Sequence, residues 1–238
     1  MKKVLFNFGF LLVSAPLFAQ VPTPTPTATS ACCQGVTQIT GAFTLNAPAG
    51  MAIDYPNKRL YVADFNNFQV QVFNSDTESP ITILNTANSG VTFFQPIDVS
   101  VDANGNLFIA DLGAAQPLKK FNNNFTFLGA IGPAGVTANG VLADTSTVYF
   151  STQNQQVLQY NGSATVYTAA ATYGGNPGVL NSPNEMIKIG NWLYVTDTYN
   201  NQLVKFNTSP PNPTPVTVLT NLLTPSGLRT DPAGNIYM

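Results

Sequence analysis

One pattern of apolar and polar positions recurs along most of the chain. Its centre is a run of aliphatic and aromatic residues that ends in a polar residue, here called the anchor run. The complete copies are Leu60–Asp64, Leu107–Asp111, Val148–Thr152 and Leu193–Asp197, and Ile236–Met238 begins another. Their last residues are 47, 41 and 45 positions apart (64 to 111, 111 to 152, 152 to 197). Such runs predict strands, and a period of about 40 to 45 residues is typical of a four-stranded propeller blade.

Each anchor run has similar neighbours on both sides. Upstream lies a strand that usually opens with proline, at Pro48–Asp54, Pro96–Asp102, Ala138–Asp144, Pro183–Ile189 and Pro225–Asp231. Downstream lies a strand that ends in an aromatic residue followed by Asn, at Gln69–Asn74, Pro117–Asn122, Gln156–Asn161 and Gln202–Asn207. We expect the proline-opened strands to line the centre, with the anchor strands next and the aromatic-ended strands outside them.

The recurring order resembles the NHL repeat. It consists of proline, a short strand, a turn, Leu-Tyr-Val-Ala-Asp, an Asn pair (Asn66-Asn67 or Asn200-Asn201) and Val-x-x-Phe, and it extends from about residue 46 to 238. The resemblance implies an all-β fold, a β-propeller of the NHL type with four complete blades and part of a fifth. Family members usually have six blades, and a propeller closes when its last blade pairs with its first, so we expect the intact protein to continue beyond Met238.

The sequence before the repeats predicts two further segments. Residues 1–19 have the form of a signal peptide, with Lys2 and Lys3 ahead of an apolar core and Ala19 at the cleavage site. Residues 20–35 form a linker rich in Pro and Thr, which favours an extended spacer. The propeller domain is therefore predicted at 36–238, in a protein secreted to the periplasm or the extracellular space and not inserted in a membrane after the signal is removed.

Composition excludes several classes of function. The chain contains no histidine, which excludes Ser-His-Asp and Cys-His arrangements and His-based zinc sites in this sequence. Without Lys2 and Lys3, seven basic residues stand against eleven acidic ones, so we expect no nucleic-acid binding. The only cysteines, Cys32 and Cys33, are adjacent. They could form a vicinal disulfide, pair with another molecule or remain reduced, but they cannot cross-link the fold.

Two sets of acidic residues are candidates for chemistry. Asp64, Asp111 and Asp197 end their anchor runs, and because an active site draws different residues from different blades, we expect these repeated carboxylates to fix the turns that follow them. Two positions after the opening proline or its substitute, the repeats read Gly50, Asp98, Gly140, Glu185 and Gly227. This position is predicted near one mouth of the central channel.

Asp98 and Glu185, together with Asn139 and Asn184 at the preceding position, could offer oxygen ligands to Ca²⁺. Calcium-dependent sugar lactonases are similar propellers with Glu, Asn and Asp ligands in the channel, and this analogy supports the assignment. The alternative is that both carboxylates are simply solvated at a polar channel mouth.

Function is therefore predicted in two forms. The first is an extracellular, non-catalytic binding or scaffold module of the NHL-repeat type, with no cofactor and with a protein or carbohydrate ligand. Phe65, Phe68 and Tyr199 follow anchor runs, where exposed rings could stack on sugars or anchor a protein, or could pack on the neighbouring blade. The second is a calcium-dependent, lactonase-like hydrolase with its site in the central channel.

Overall fold

The computed structural model describes residues 44–238, except 164, 176–178, 213 and 232. The predicted signal peptide at 1–19, the linker at 20–35 and the Cys32-Cys33 pair lie outside the described residues and stay predictions. Within the described part, no helix is long and apolar enough to cross a membrane.

Each of the four complete repeats forms one four-stranded antiparallel sheet, and its strands follow one another in chain order. The first sheet contains β1 (Pro48–Asp54), β2 (Arg59–Asp64), β3 (Gln69–Asn74) and β4 (Pro80–Asn85). The second contains β5 (Gln95–Val101), β6 (Leu107–Leu112), β7 (Leu118–Phe121) and β8 (Phe127–Ile131).

The third sheet contains β9 (Ala138–Ala143), β10 (Thr147–Thr152), β11 (Val157–Ser163) and β12 (Val166–Tyr173). The fourth contains β13 (Pro183–Ile189), β14 (Trp192–Asp197), β15 (Gln202–Asn207) and β16 (Val216–Leu219). A fifth, two-stranded sheet pairs β17 (Arg229–Thr230) with β18 (Ile236–Tyr237). One short helix, α1 (Thr86–Ser89), follows β4, and 3₁₀ turns at Phe65–Asn67 and Thr198–Asn200 follow β2 and β14.

The first strands of successive sheets lie beside one another, β1 next to β5, β5 next to β9 and β9 next to β13. The anchor and aromatic-ended strands follow outward, so the all-β propeller architecture and the predicted strand order are confirmed. Since neighbouring strands are antiparallel, the connections alternate between two ends of every sheet. We call the end where the first strands begin the entry end, and the other the far end.

The hydrophobic core is divided into layers between adjacent sheets. One cluster joins the first and second sheets through Tyr61, Val72 and Ile109, and another joins the second and third through Phe108 and Phe150. Corresponding clusters join the third to the fourth sheet and the fourth to the fifth. Adjacent sheets therefore bury their facing sides against each other, as blades of a propeller do.

Two glycines of the first strands allow adjacent blades to approach closely. A Cβ on Gly50 would lie 2.6 Å from the Cα of Asp98 and would also overlap its carboxylate. A Cβ on Gly140 would lie 2.7 Å from the backbone oxygen of Asn184. Glycine at these positions is thus a packing requirement between neighbouring inner strands.

Candidate functional site

The carboxylates that end the anchor runs hold the entry end of their blades together. Asp64 accepts hydrogen bonds from the backbone N–H of Asn46 (2.6 Å) and from the side chains of Asn67, Gln69 and Gln71 (2.7, 2.8 and 2.6 Å). Its carboxylate is fully buried. This agrees with the predicted structural role, because all these partners belong to the turn, the next strand or the incoming chain of the same blade.

The fourth blade repeats this arrangement and the third replaces it. Asp197 accepts from the backbone of Asn181 (2.6 Å) and from the side chains of Asn200 and Gln202 (2.8 and 2.7 Å). In the third blade, the Thr152 hydroxyl donates to the backbone oxygen of Gln156 (3.1 Å). In this blade a neutral hydroxyl therefore replaces the carboxylate that accepts side-chain amides in the first and fourth blades.

The second blade contains a buried ion pair at the same place. Asp111 accepts from the backbone N–H groups of Phe94 and Gln95 and forms a salt bridge with Lys119, whose side chain is only 5% exposed. Lys119 corresponds in the repeat to Gln71, so a charged donor replaces a neutral one. The ammonium group also lies 5.6 Å from the centre of the Phe93 ring, a cation–π contact.

Asp98 lies in the middle of β5 and is 4% exposed. Its Oδ2 accepts the backbone N–H of Val141 on β9 (2.8 Å), while its Oδ1 is buried and accepts no hydrogen bond of good geometry from the described residues. Burial, and then the charge of Glu185, raise the pKa of Asp98 well above its usual value, against the opposing effects of the Val141 hydrogen bond and Arg229.

Glu185 forms a salt bridge with Arg229 at the start of β17. Burial raises the pKa of Glu185, and the neighbouring guanidinium opposes that rise. Arg229 also donates from Nη2 to the backbone oxygen of Met51 on β1 (3.4 Å). One arginine therefore contacts the fourth and first blades while it acts electrostatically on the carboxylate of the second.

The structure brings part of the predicted calcium site together. Asp98 and Glu185 interact electrostatically. Asn139 instead donates through Nδ2 to the backbone oxygen of Pro183 (3.1 Å), and the backbone oxygen of Asn184 accepts from Ser151 (2.6 Å). Among the described residues, no group of three or more His, Cys, Asp or Glu side chains is placed to hold a metal ion. The calcium assignment stays a prediction.

The residue that sequence reasoning missed is Arg229. At its position in the repeat the earlier blades carry Ala52, Ser100, Leu142 and Ile187, so the departure was visible in the alignment of the repeats. Its guanidinium neutralises the charge of the Glu185 carboxylate, a role that a bound cation would otherwise have. The site as it stands is a two-acid, one-arginine cluster, here called the channel triad, made of Asp98, Glu185 and Arg229.

Comparisons with known proteins agree with the fold. The family model of the NHL repeat matches residues 45–73, so the proposed resemblance is confirmed for the first repeat. The WD40 repeats of RRP9 superpose with a TM-score of 0.60 at 8% identity, covering 71% of this chain and 50% of that chain. Kuenenia stuttgartiensis hydrazine synthase superposes with a TM-score of 0.56 at 12% identity, covering 79% of this chain and 59% of that chain.

No curated protein matches the chain in sequence. The chain spans about half to three fifths of the lengths of the two structures. At such identities the superpositions establish the propeller architecture and nothing about ligands.

Proposed function

We propose that this β-propeller, whose first repeat is an NHL repeat, is a secreted, non-catalytic module that binds a macromolecular ligand outside the cytoplasm. The observation that carries the proposal is the use of the repeated polar residues within the blades. Asp64, Asp111 and Asp197 are all engaged by their own sheets. The residues that contact a ligand are therefore expected in the loops, which differ between blades. Many proteins bind their ligands through variable loops on a rigid scaffold.

The predicted signal peptide supports the extracellular part of this proposal. Full-length protein expressed in a bacterial host should accumulate outside the cytoplasm with Gln20 as its first residue, as measured by fractionation and N-terminal sequencing. A matched variant, Leu11→Arg, interrupts the apolar core of the signal and should stay inside with Met1 or Lys2 at its N-terminus. Retention of the unaltered chain in the cytoplasm, uncleaved, would contradict the proposal.

A second function, calcium-dependent hydrolysis, is favoured by one observation. Oδ1 of Asp98 is buried without a hydrogen bond of good geometry, and a buried carboxylate oxygen in that state gains from a cation. A bound Ca²⁺ would supply the charge that now comes from Arg229 beside Glu185. The two functions differ in a measurable way, because the second requires the folded state to be stabilised by Ca²⁺.

A further inference from the structure

Charged residues are absent from the described connections at the entry end. These connections are residues 44–47, 65–68, 86–94, 113–117, 132–137, 153–156, 174–175, 179–182, 198–201 and 220–228, here called the uncharged face. None contains Lys, Arg, Asp or Glu. The charged residues beside it are strand residues: the buried carboxylates Asp64, Asp111 and Asp197, which are engaged within their own blades, and Arg229.

The far end has the opposite character. The described connections there carry Lys58, Asp76, Glu78, Asp102, Asp144 and Asp231. Every charged residue in a described connection between strands is therefore at one end of the sheets. Surfaces that only need solubility mix charges over all loops, so this segregation marks the entry end as different in kind.

Aromatic rings are exposed on the uncharged face. Phe68 is 51% exposed, Phe94 44% and Tyr199 66%, and each belongs to a different connection. Phe65, which was also predicted as a surface aromatic, is half-buried. The exposed polar residues of the uncharged face are mainly side-chain amides, including Asn66, Gln116, Gln153, Asn154, Gln155 and Asn200.

Phe68 has a backbone conformation that does not suit its side chain. It ends the 3₁₀ turn after β2 with φ +56°, in the left-handed region. The corresponding residue of the fourth blade, Asn201, has φ +52°. Asn is among the residues that tolerate this conformation, whereas a bulky aromatic there carries strain. Asn at position 68 would relieve this strain, so the local backbone does not require the exposed ring.

We propose that the uncharged face binds a neutral polysaccharide, with Phe68, Phe94 and Tyr199 stacking on sugar rings and the side-chain amides bonding to hydroxyl groups. The C–H bonds of a sugar ring direct partial positive charge at the negative face of an aromatic ring. Because this face has no ionised groups in its connections, no charge has to be removed from water when such a ligand binds. Because the three rings come from different connections, a polymer can engage several of them and gain avidity. This inference rests on the proposed function as a binding module.

The test uses the whole exported chain and defined polysaccharides. Cellulose, unsubstituted β-1,3-glucan, mannan and dextran are the neutral probes, and alginate and polygalacturonate are the acidic ones, each tested by pull-down or affinity electrophoresis. We expect binding to at least one neutral polymer, weaker binding to both acidic ones, and the same affinity at about 0.05 M and about 0.5 M NaCl. Preference for an acidic polymer, or loss of binding in high salt, would overturn the inference.

Variants separate contact from folding. Phe68→Asn should weaken binding about tenfold, as loss of an interface anchor does, while it raises the free energy of unfolding. Tyr199→Ala should also weaken binding about tenfold. Tyr55→Ala is the matched control, because Tyr55 is 75% exposed but lies in the far-end turn after β1, and it should bind unchanged.

Each failure has its own meaning. Unchanged binding by Phe68→Asn and Tyr199→Ala, or equal loss in Tyr55→Ala, would refute the assignment of this face. An exported chain that binds none of the neutral polymers but captures a purified protein through Phe68 and Tyr199 would refute the carbohydrate inference and leave the binding module intact. Cytoplasmic retention would instead contradict the proposed secretion.

Discussion

The substitution Asp98→Asn should stabilise the protein, and increasingly so as the pH rises. Asp98 is nearly fully buried beside Glu185, and both effects raise its pKa in the folded state. Between the unfolded value near pH 4 and the higher folded value, the folded chain holds one more proton than the unfolded chain. Stability contributed by this group is therefore complete below about pH 4 and is lost as the pH rises through the folded pKa.

The magnitude follows from the proton count. One proton of difference changes the free energy of unfolding by about 1.4 kcal/mol per pH unit. Asn at position 98 can still accept the Val141 N–H through its oxygen and cannot ionise. The difference in free energy of unfolding between Asp98→Asn and the unaltered chain should thus grow by up to about 1.4 kcal/mol per pH unit from about pH 4 until the folded pKa is passed.

Urea unfolding at about pH 5, 6 and 7 measures this difference directly. The matched control is Asp102→Asn, since Asp102 is also buried, at 5% exposure, but both its oxygens accept hydrogen bonds from Asn104 and Asn106. An amide nitrogen there would face a donor, so this variant should be destabilised by about 1 to 3 kcal/mol. Parallel pH profiles for Asp98→Asn and the unaltered chain would refute the reasoning.

Three further outcomes are expected. Gly50→Ala should destabilise by about 1 to 3 kcal/mol in urea unfolding because its Cβ meets the next inner strand, whereas Gly227→Ala, with open space around it, should change stability by less than about 0.5 kcal/mol. Lys119→Leu should cost about 3 to 5 kcal/mol by stranding a buried carboxylate, and Lys119→Gln should recover most of that, since Gln fills this place in the first blade; equal losses would count against the ion-pair argument. If Ca²⁺ binds the channel triad, it should raise the Tm of the unaltered chain and not that of Asp98→Asn/Glu185→Gln, and a calcium response retained by the double variant would exclude this site.

Strand positions were predictable because the second and third strands of each blade carry most of the buried apolar residues. The anchor runs Leu60–Asp64 and Leu193–Asp197 coincide with the ends of β2 and β14 to within one residue. The outermost strands were not predicted. β16 is exposed along its whole length, and β12 along most of its length, so neither requires a strong apolar pattern.

The site was predictable only in part, for a reason of geometry. Asp98 and Glu185 stand out against the glycines of the other repeats, and the register of the repeats predicts that they lie near each other; the structure places them close enough to interact electrostatically. Arg229 reaches Met51, 178 positions away, because the ring brings the first and fifth blades together. Such a contact depends on curvature between blades, which no local pattern records. The burial of Lys119 was not predicted for a similar reason, because its partner, Asp111, lies on the adjacent strand.

The close contacts at Gly50 and Gly140 bear on how such a protein can be rebuilt. Gly50 admits the Asp98 side of the following blade, and Gly140 admits the backbone of Asn184. Blades with similar repeat sequences are thus each matched to the particular blade that follows them. A shuffled gene that placed the second blade directly before the fourth would set Asp98, instead of a glycine, against the incoming strand. Exchange of internal blades, which breaks these matches, should therefore destabilise the protein more than substitutions in the outer strands do.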